Sequence, residues 1–324
     1  MQTKRLGNTD MDISRVGFGA WAIGGKDWKF GWGPQDDSES IAAIRRGIEL
    51  GINWIDTAAV YGFGRSEQVV AAAVSELPAD KKPFLFTKCG LVRGPEPGIP
   101  VLQLDPESIR KEVEESLRFL RVEVIDLYQI HWPALLGEPE NMDAIKAAWQ
   151  CLAELKDAGK VRHIGVSNFD ARQLEAIRPI HQVSSLQPPY SLLAREVENE
   201  TLTYCEENNI GVINYSPMKS GLLTGAMTRG RIKNLPEGDW RRESSEFQEP
   251  KLTANLDLVD CLRRVATRHS TNPGSIAIAW TLANTAITGA IVGARRPSQI
   301  EGTVGASDLT LTEADLSEIE AAIP

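Results

Sequence analysis

The sequence predicts a (β/α)₈ barrel of the TIM type, plugged by an N-terminal β-hairpin and finished by an extra C-terminal helix. Three observations predict it. Eight short apolar runs recur along the chain, each followed by a polar loop and then an amphipathic helical pattern. Strands this short, separated by helices, pair in parallel through right-handed crossovers. The runs are also apolar on consecutive residues rather than alternately, as in strands covered by helices outside and by side chains inside.

The elements follow in order. Segments 4–6 and 12–14, around Gly7-Asn8-Thr9, form a small hairpin placed at the barrel floor. The eight strand runs are 16–19, 53–56, 84–88, 124–130, 161–167, 184–187, 212–215 and 290–293. Helical patterns occupy 37–50, 66–74, 106–120, 142–158, 170–177, 196–208 and 254–269. Asp105-Pro106-Glu107 reads as an N-cap, a proline at the first helical position and an acid facing the helix dipole. Gly51 and Gly159 sit where C-terminal glycines end helices. No charged residue lies between Ser270 and Ala294, but Pro273, the Asn284-Thr285 turn and Gly289 divide that stretch into a buried helix and a buried strand. A closing helix over 313–322 aligns Leu316, Ile319 and Ile323 on one face.

Gly17-Phe18-Gly19-Ala20-Trp21-Ala22 matches the dinucleotide fingerprint G-x-G-x-x-A. That fingerprint needs a helix to begin there, whereas Gly24-Gly25-Lys26-Asp27 and the residues after it read as a loop. The closed barrel is therefore favoured over an open doubly wound sheet. No linker or low-complexity stretch interrupts the chain, so one domain over 1–324 is expected.

Composition removes several function classes. A net charge of −9 argues against a nucleic-acid-binding surface. Met1-Gln2-Thr3-Lys4-Arg5 leads into no apolar core of signal-peptide length, and no membrane span is expected. Cys89, Cys151, Cys205 and Cys261 are scattered without C-x-x-C pairing, as expected of reduced thiols in a cytoplasmic protein. The four histidines show no ligand spacing, so no metal is expected.

Functional residues of a barrel lie where strands run into loops. The second strand ends in Asp56, with Tyr61 following in Asp56-Thr57-Ala58-Ala59-Val60-Tyr61-Gly62; the third ends in Lys88 and the fourth in His131. Singly these could be a cap, a packed aromatic, a solvated charge and a core histidine. Together they deliver a carboxylate, a phenol, an ammonium and an imidazole to one rim. Such a set suits proton delivery to a carbonyl oxygen while hydride reaches the carbon. A phenol titrates near ~10, and the expectation is that the neighbouring ammonium lowers that value while the carboxylate keeps the ammonium charged.

At these spacings Asp56, Tyr61, Lys88 and His131, with Gly62-Phe63-Gly64-Arg65-Ser66-Glu67 after the tyrosine, resemble the aldo-keto reductase superfamily. The resemblance continues through 126–133, 159–169, Gln187, Tyr215-Ser216-Pro217 and Ile291-Val292-Gly293-Ala294-Arg295-Arg296, and so spans essentially the whole chain. It is nearest to the microbial branch that also resembles the potassium-channel β-subunits. It implies that Tyr61 is the general acid, Lys88 and Asp56 its tuning pair, and His131 the group orienting the carbonyl. It implies NADPH or NADH across the barrel mouth, with Ser167, Asn168 and Gln187 bonding the carboxamide and Tyr215 stacking on the nicotinamide. Further cofactor contacts are implied at Ala20, Trp21, Asp56, Ser216, Pro217, Met218, Lys219, Gly221, Arg231, Gly293, Arg295, Gln299 and Thr303.

Small residues and hydroxyls in 216–225 admit a pyrophosphate to backbone N–H groups. Arg229, Arg231, Lys233, Arg241 and Arg242 read either as a phosphate clamp or as a solvated loop. Arg295 and Arg296, before the helix opened by Pro297, suit a ribose 2′-phosphate and so favour NADPH over NADH. Three departures from the family pattern affect the adenosine end: Ala226 for a frequent lysine, Gln299 for an arginine, and Gly302-Thr303 for Glu-Asn. They point to looser binding there or acceptance of either cofactor.

Trp21, Trp28, Phe30, Trp32 and Trp132 fall in rim loops, and Trp21, Trp32 and Trp132, with Tyr61 and His131, are the expected substrate pocket for a small carbonyl compound. The oligomeric state is left open. Two other classes compete. A cofactor-sensing module would tolerate loss of the proton-transfer groups, yet all four are present, and no N-terminal extension is expected to act on a partner. A barrel hydrolase would need a second rim carboxylate beside Asp56.

Overall fold

The computed structural model describes residues 1–135, 137–237 and 239–324. Its hairpin pairs β1 (Thr3–Arg5) with β2 (Asp12–Ser14) in antiparallel register. Eight strands then close a barrel: β3 (Val16–Gly19), β4 (Trp54–Asp56), β5 (Phe84–Cys89), β8 (Ile125–Ile130), β9 (Val161–Ser167), β10 (Ser185–Gln187), β11 (Gly211–Asn214) and β12 (Ile287–Gly293). Every pairing in it is parallel, each strand lies beside the next, and β12 closes onto β3. Between β5 and β8 a second hairpin, β6 (Leu91–Arg93) with β7 (Pro100–Leu102), rises from the rim.

The outer ring is α1 (Asp37–Glu49), α2 (Arg65–Val74), α3 (Pro106–Leu120), α4 (Met142–Asp157), α5 (Ala171–Ile177), α6 (Thr201–Glu207), α8 (Lys251–Arg268) and α9 (Pro273–Ala283). Short α7 (Arg229–Lys233) and α10 (Pro297–Glu301) and the closing α11 (Glu313–Glu320) complete the set. The termini obey the sequence signals. Asp105 accepts from the backbone N–H of Glu107 and Ser108 with Pro106 opening α3. Gly51 and Gly159 adopt positive φ of 98° and 73° after their helices. Helix α9 is buried along nearly its whole length, as its uninterrupted apolar sequence requires.

Side chains fill the barrel. Leu6, Met11 and Ile13 from the hairpin region join Trp54, Phe86, Leu127, Ile213 and Ile291 in one buried cluster. The Trp54 indole donates to the Ser14 carbonyl at 2.8 Å and occupies the space a side chain at Gly17 would need; a Cβ there would lie 2.1 Å from the ring. Gly7 is similarly forced, because its φ is +48° and a Cβ would lie 2.3 Å from the Gly211 nitrogen. The floor is thus sealed, leaving the C-terminal ends of the strands as the accessible mouth.

Some sequence expectations shift. The pattern over 196–208 divides into a 3₁₀ turn at Glu196–Glu198 and α6, the last strand begins at Ile287, and the helix expected from 254 begins at Lys251. The residues after Gly19 form a 3₁₀ turn at Trp21–Ile23, which disposes of the dinucleotide fingerprint.

Candidate active site

Strand ends bring the four predicted groups together. Asp56 closes β4, Lys88 is the penultimate residue of β5, and His131 follows β8, its backbone N–H donating to the Cys89 carbonyl at 3.0 Å. Tyr61 lies in the turn leading to α2, and its carbonyl accepts from Ser66 N–H in that helix. The Lys88 ammonium donates to Asp56 Oδ2 at 2.6 Å, to the Thr57 carbonyl at 2.8 Å and to the Tyr61 hydroxyl at 3.5 Å. The Tyr61 and His131 rings meet edge to face with centroids 5.7 Å apart. All four residues are buried, Tyr61 and His131 at 9% and 8% exposure and Asp56 and Lys88 at less.

A second line of hydrogen bonds runs around the rim. Gln187 donates to Asp56 Oδ1 at 2.8 Å, and Ser167 Oγ donates to the Gln187 carbonyl at 2.7 Å. Asn168, held at φ +64°, donates to the His131 carbonyl at 2.9 Å and accepts from the Tyr215 hydroxyl at 2.9 Å. Left-handed backbone is tolerated by asparagine because its short side chain bonds locally. Beside this line Gln129 Oε1 accepts from the Gln187 amide at 3.5 Å, and the buried Gln129 amide nitrogen has no hydrogen-bond partner among the described residues.

Burial governs the titrations. Tyr61 is driven well above the ordinary phenol value by burial and then by the charge of Asp56. The lowering expected from the neighbouring ammonium is therefore reversed: desolvation of a phenolate outweighs the attraction of Lys88, and the phenol keeps its proton at neutral pH. Asp56 is pushed up by burial against the pull of Lys88 and Gln187, and Lys88 is pushed down by burial against the pull of Asp56. His131 falls well below the ordinary imidazole range, through burial and then the Lys88 charge, so its ring is neutral.

The aromatic rim assembles around Tyr61. Trp21 stacks near it at 6.5 Å and Trp28 lies at 5.8 Å. Trp32 meets Trp21 edge-on at 5.5 Å, and Trp132 packs into the cluster that contains Tyr61. One wall was missed by the sequence reading: Trp240 stacks on Trp21 at 5.7 Å and meets Trp32 at 6.2 Å. No local pattern announces it, since it comes from a loop almost 220 positions away.

The expected cofactor residues divide. Ala20 is buried, its N–H donating to the Asp56 carbonyl at 2.8 Å, and Gly293 is exposed at the end of β12. From Ser216 to Gly221, Ser216, Lys219, Ser220 and Gly221 all have positive φ, and Pro217 and Met218 complete the turn. Such backbone costs of order 1–3 kcal/mol per non-glycine residue, and here the N–H groups of Lys219 and Gly221 close turns onto the Ser216 and Met218 carbonyls at 2.9 and 3.1 Å. Gln299 Oε1 accepts from Arg295 N–H at 2.7 Å, and Thr303 Oγ donates back to its own helix. Arg231 is exposed on α7 and reaches the Ala226 carbonyl at 3.3 Å. The basic segment is not a free clamp: Arg241 is buried against Asp239, and Arg229 pairs with Glu249. Arg295 differs from expectation as well. Its guanidinium turns to the loop 32–35, while Arg296 is the exposed cation at this corner.

The Aldo/keto reductase family model matches residues 15–324. The chain belongs to that family. It is similar to the aldo-keto reductase YhdN of Bacillus subtilis strain 168, with 36% identity over 98% of this chain and 92% of that one. An NADH-specific methylglyoxal reductase of Escherichia coli K12 shares 35% identity over 96% of this chain and 94% of its own. Among solved structures, the glycerol dehydrogenase AKR11B4 of Gluconobacter oxydans superposes with a TM-score of 0.86 at 36% identity, covering 99% of this chain and 94% of that one. The chain is accordingly an oxidoreductase acting on carbonyl compounds, of a family that uses nicotinamide cofactors. Among the described residues no helix is long and apolar enough to cross a membrane, and no cluster of three metal-ligating side chains occurs.

Proposed function

We propose that this chain reduces a small aldehyde or ketone to the alcohol, that Tyr61 delivers the proton, and that NADPH is preferred to NADH. The observation that carries the reading is the buried line Asp56–Lys88–Tyr61, at 2.6 and 3.5 Å, ending beside a neutral His131 at the barrel mouth. A nicotinamide cofactor, when bound, supplies the hydride. The rest falls to the chain's own side chains. His131, neutral, donates an N–H to the carbonyl oxygen and so orients it without competing as the acid. Tyr61, which carries its proton at neutral pH and is raised further by burial, gives that hydroxyl proton to the developing alkoxide. Lys88 then faces the phenolate that remains, and Asp56 holds Lys88 in place.

Ser167, Asn168 and Gln187 present amide and hydroxyl groups suited to a carboxamide, and Tyr215 offers a ring face. The left-handed backbone of 216–221 suits a pyrophosphate. The NADPH preference is supported by Arg296, which is exposed and makes no ion pair among the described residues. Trp21, Trp32, Trp132 and Trp240 wall a pocket for a small carbonyl substrate. The whole of 1–324 is proposed to work as one domain, and four free, buried cysteines suit a reducing compartment such as the cytoplasm.

Titration with NADPH and with NADH, followed by tryptophan emission and by equilibrium dialysis, tests this directly. Tighter binding of NADPH is expected. Equal or tighter binding of NADH would remove the preference, and no binding of either would remove the function.

A further inference from the structure

Three arginines from three separate places on the rim, one of them opening α2, converge on one short segment of the loop between β3 and α1. Arg295, after β12, donates through Nε to Gln35 Oε1 at 2.5 Å, through Nη1 to the Trp32 carbonyl at 3.1 Å and through Nη2 to the Pro34 carbonyl. Gln35 answers by donating to the Arg295 carbonyl at 2.8 Å. Arg65, four residues after Tyr61, donates to the Gln35 carbonyl at 3.0 Å and to Asp37 at 2.6 Å. Arg241 lies over the Trp32 ring at 4.4 Å, fixed by a two-pronged pair with Asp239 at 2.9 and 2.6 Å. From Trp32 the contacts continue through Trp21 to Tyr61.

We infer that Arg295 is a positioning residue of the substrate pocket rather than a ligand of the cofactor: it fixes residues 32–35 so that Trp32 and Trp21 wall the Tyr61 hydroxyl. The geometry leaves little choice. A planar guanidinium presents its donors in a fixed fork, and this one has each of its three nitrogens on an acceptor of the same loop. Turning it to a phosphate would strip two backbone carbonyls and an amide oxygen of their partner in a half-buried place, where an unmade hydrogen bond is costly. The contact joins segments 260 positions apart, so it closes the rim between the last strand and the first. Residues at the end of the chain thereby set the shape of the pocket over the catalytic tyrosine. The inference rests on the reading of Tyr61 as the proton donor.

The test uses Arg295→Ala, Arg295→Lys and Gln35→Ala in the full chain, with glyceraldehyde as the carbonyl probe and each cofactor held saturating. NADH carries no 2′-phosphate, so an effect seen with it cannot pass through one. Arg295→Ala is expected to raise the KM for the carbonyl about tenfold with either cofactor and to shift tryptophan emission in the free protein. Lysine keeps the charge but not the fork, so it should not rescue, and Gln35→Ala should reproduce part of the loss. The ratio of NADPH to NADH affinity should stay within about twofold of the wild type. An unchanged carbonyl KM, or a loss confined to NADPH affinity and rescued by lysine, would overturn the inference. If the wild type turned over no carbonyl compound, the proposed function would fall instead. The loop claim would then be decided by amide hydrogen exchange at 32–37, faster in Arg295→Ala if the arginine holds the loop and unchanged if it does not.

Discussion

Replacing Lys88 with methionine isolates the energetics of the buried pair. The ammonium is fully buried, and it touches Asp56 at 2.6 Å, the Thr57 carbonyl at 2.8 Å and Tyr61 at 3.5 Å. Methionine is similar in length and apolar, so the packing change is small. What remains is a carboxylate with the Gln187 amide at 2.8 Å and no cation. Removing one member of a buried pair costs about 3–5 kcal/mol, and leaving the Thr57 carbonyl unpartnered adds about 1 kcal/mol. We therefore expect Lys88→Met to lose about 5 kcal/mol of unfolding free energy at about pH 8. Adding Asp56→Asn removes the stranded charge and should return the protein to within about 1–2 kcal/mol of the wild type.

The pH dependence has a definite sign. Without Lys88, burial acts on Asp56 against only the hydrogen bonds from Gln187 and Gln129 and holds its folded-state pKa above the unfolded value. Protonation then favours the folded state, so the deficit shrinks as pH falls and is largest above that pKa. Urea unfolding followed by circular dichroism, at about pH 8 and about pH 5, measures both effects. A loss below about 1 kcal/mol at the higher pH, or no recovery on adding Asp56→Asn, would refute the description of the pair.

Other consequences concern buried carboxyls, packing and the adenosine end. Glu67 and Glu112 are raised by burial to about 7 and about 8. Their folded-state values exceed the unfolded ones, so they favour the folded state at low pH and that contribution is lost as pH rises through about 7 and 8. Glu67→Gln/Glu112→Gln should flatten the fall in Tm across that window, and a wild-type Tm that climbs through it would contradict the assignment. Gly17→Ala places a methyl 2.1 Å from the Trp54 ring and should cost about 1–3 kcal/mol, read as a lowered urea midpoint. A neutral result would mean that the ring moves freely. Arg296→Ala should weaken NADPH about tenfold and NADH little, while equal losses would deny the 2′-phosphate role.

Local physics explains what the sequence disclosed. All eight barrel strands were legible because a strand buried on both sides must be apolar throughout, and the caps at Asp105, Gly51 and Gly159 need particular residue types. Strand ends in turn located Asp56, Lys88 and His131, because a barrel presents the residues where its strands run into loops at one mouth. The second rim hairpin was not read, although Gly94-Pro95-Glu96-Pro97-Gly98 between short apolar segments marks its turn. Trp240 and the true partners of Arg295 and Arg241 depend on contacts between loops far apart in sequence, which no periodicity records. The direction of the Tyr61 shift is illegible in the sequence for a related reason. Proximity to lysine is readable from strand order, but the depth of burial that outweighs it is a property of the closed rim.

The central claim is that the Tyr61 hydroxyl supplies the proton, and a single-turnover comparison of wild type with Tyr61→Phe tests it most directly. Oxidation of bound NADPH by a small aldehyde would be followed by absorbance, with NADPH affinity measured in parallel. The phenylalanine keeps the ring contacts with Trp21, Trp28 and His131 and removes only the hydroxyl. A rate lowered by at least about 10²-fold, with cofactor affinity unchanged, is the predicted result. A variant that turns over at the wild-type rate would contradict the account and move the proton to another group.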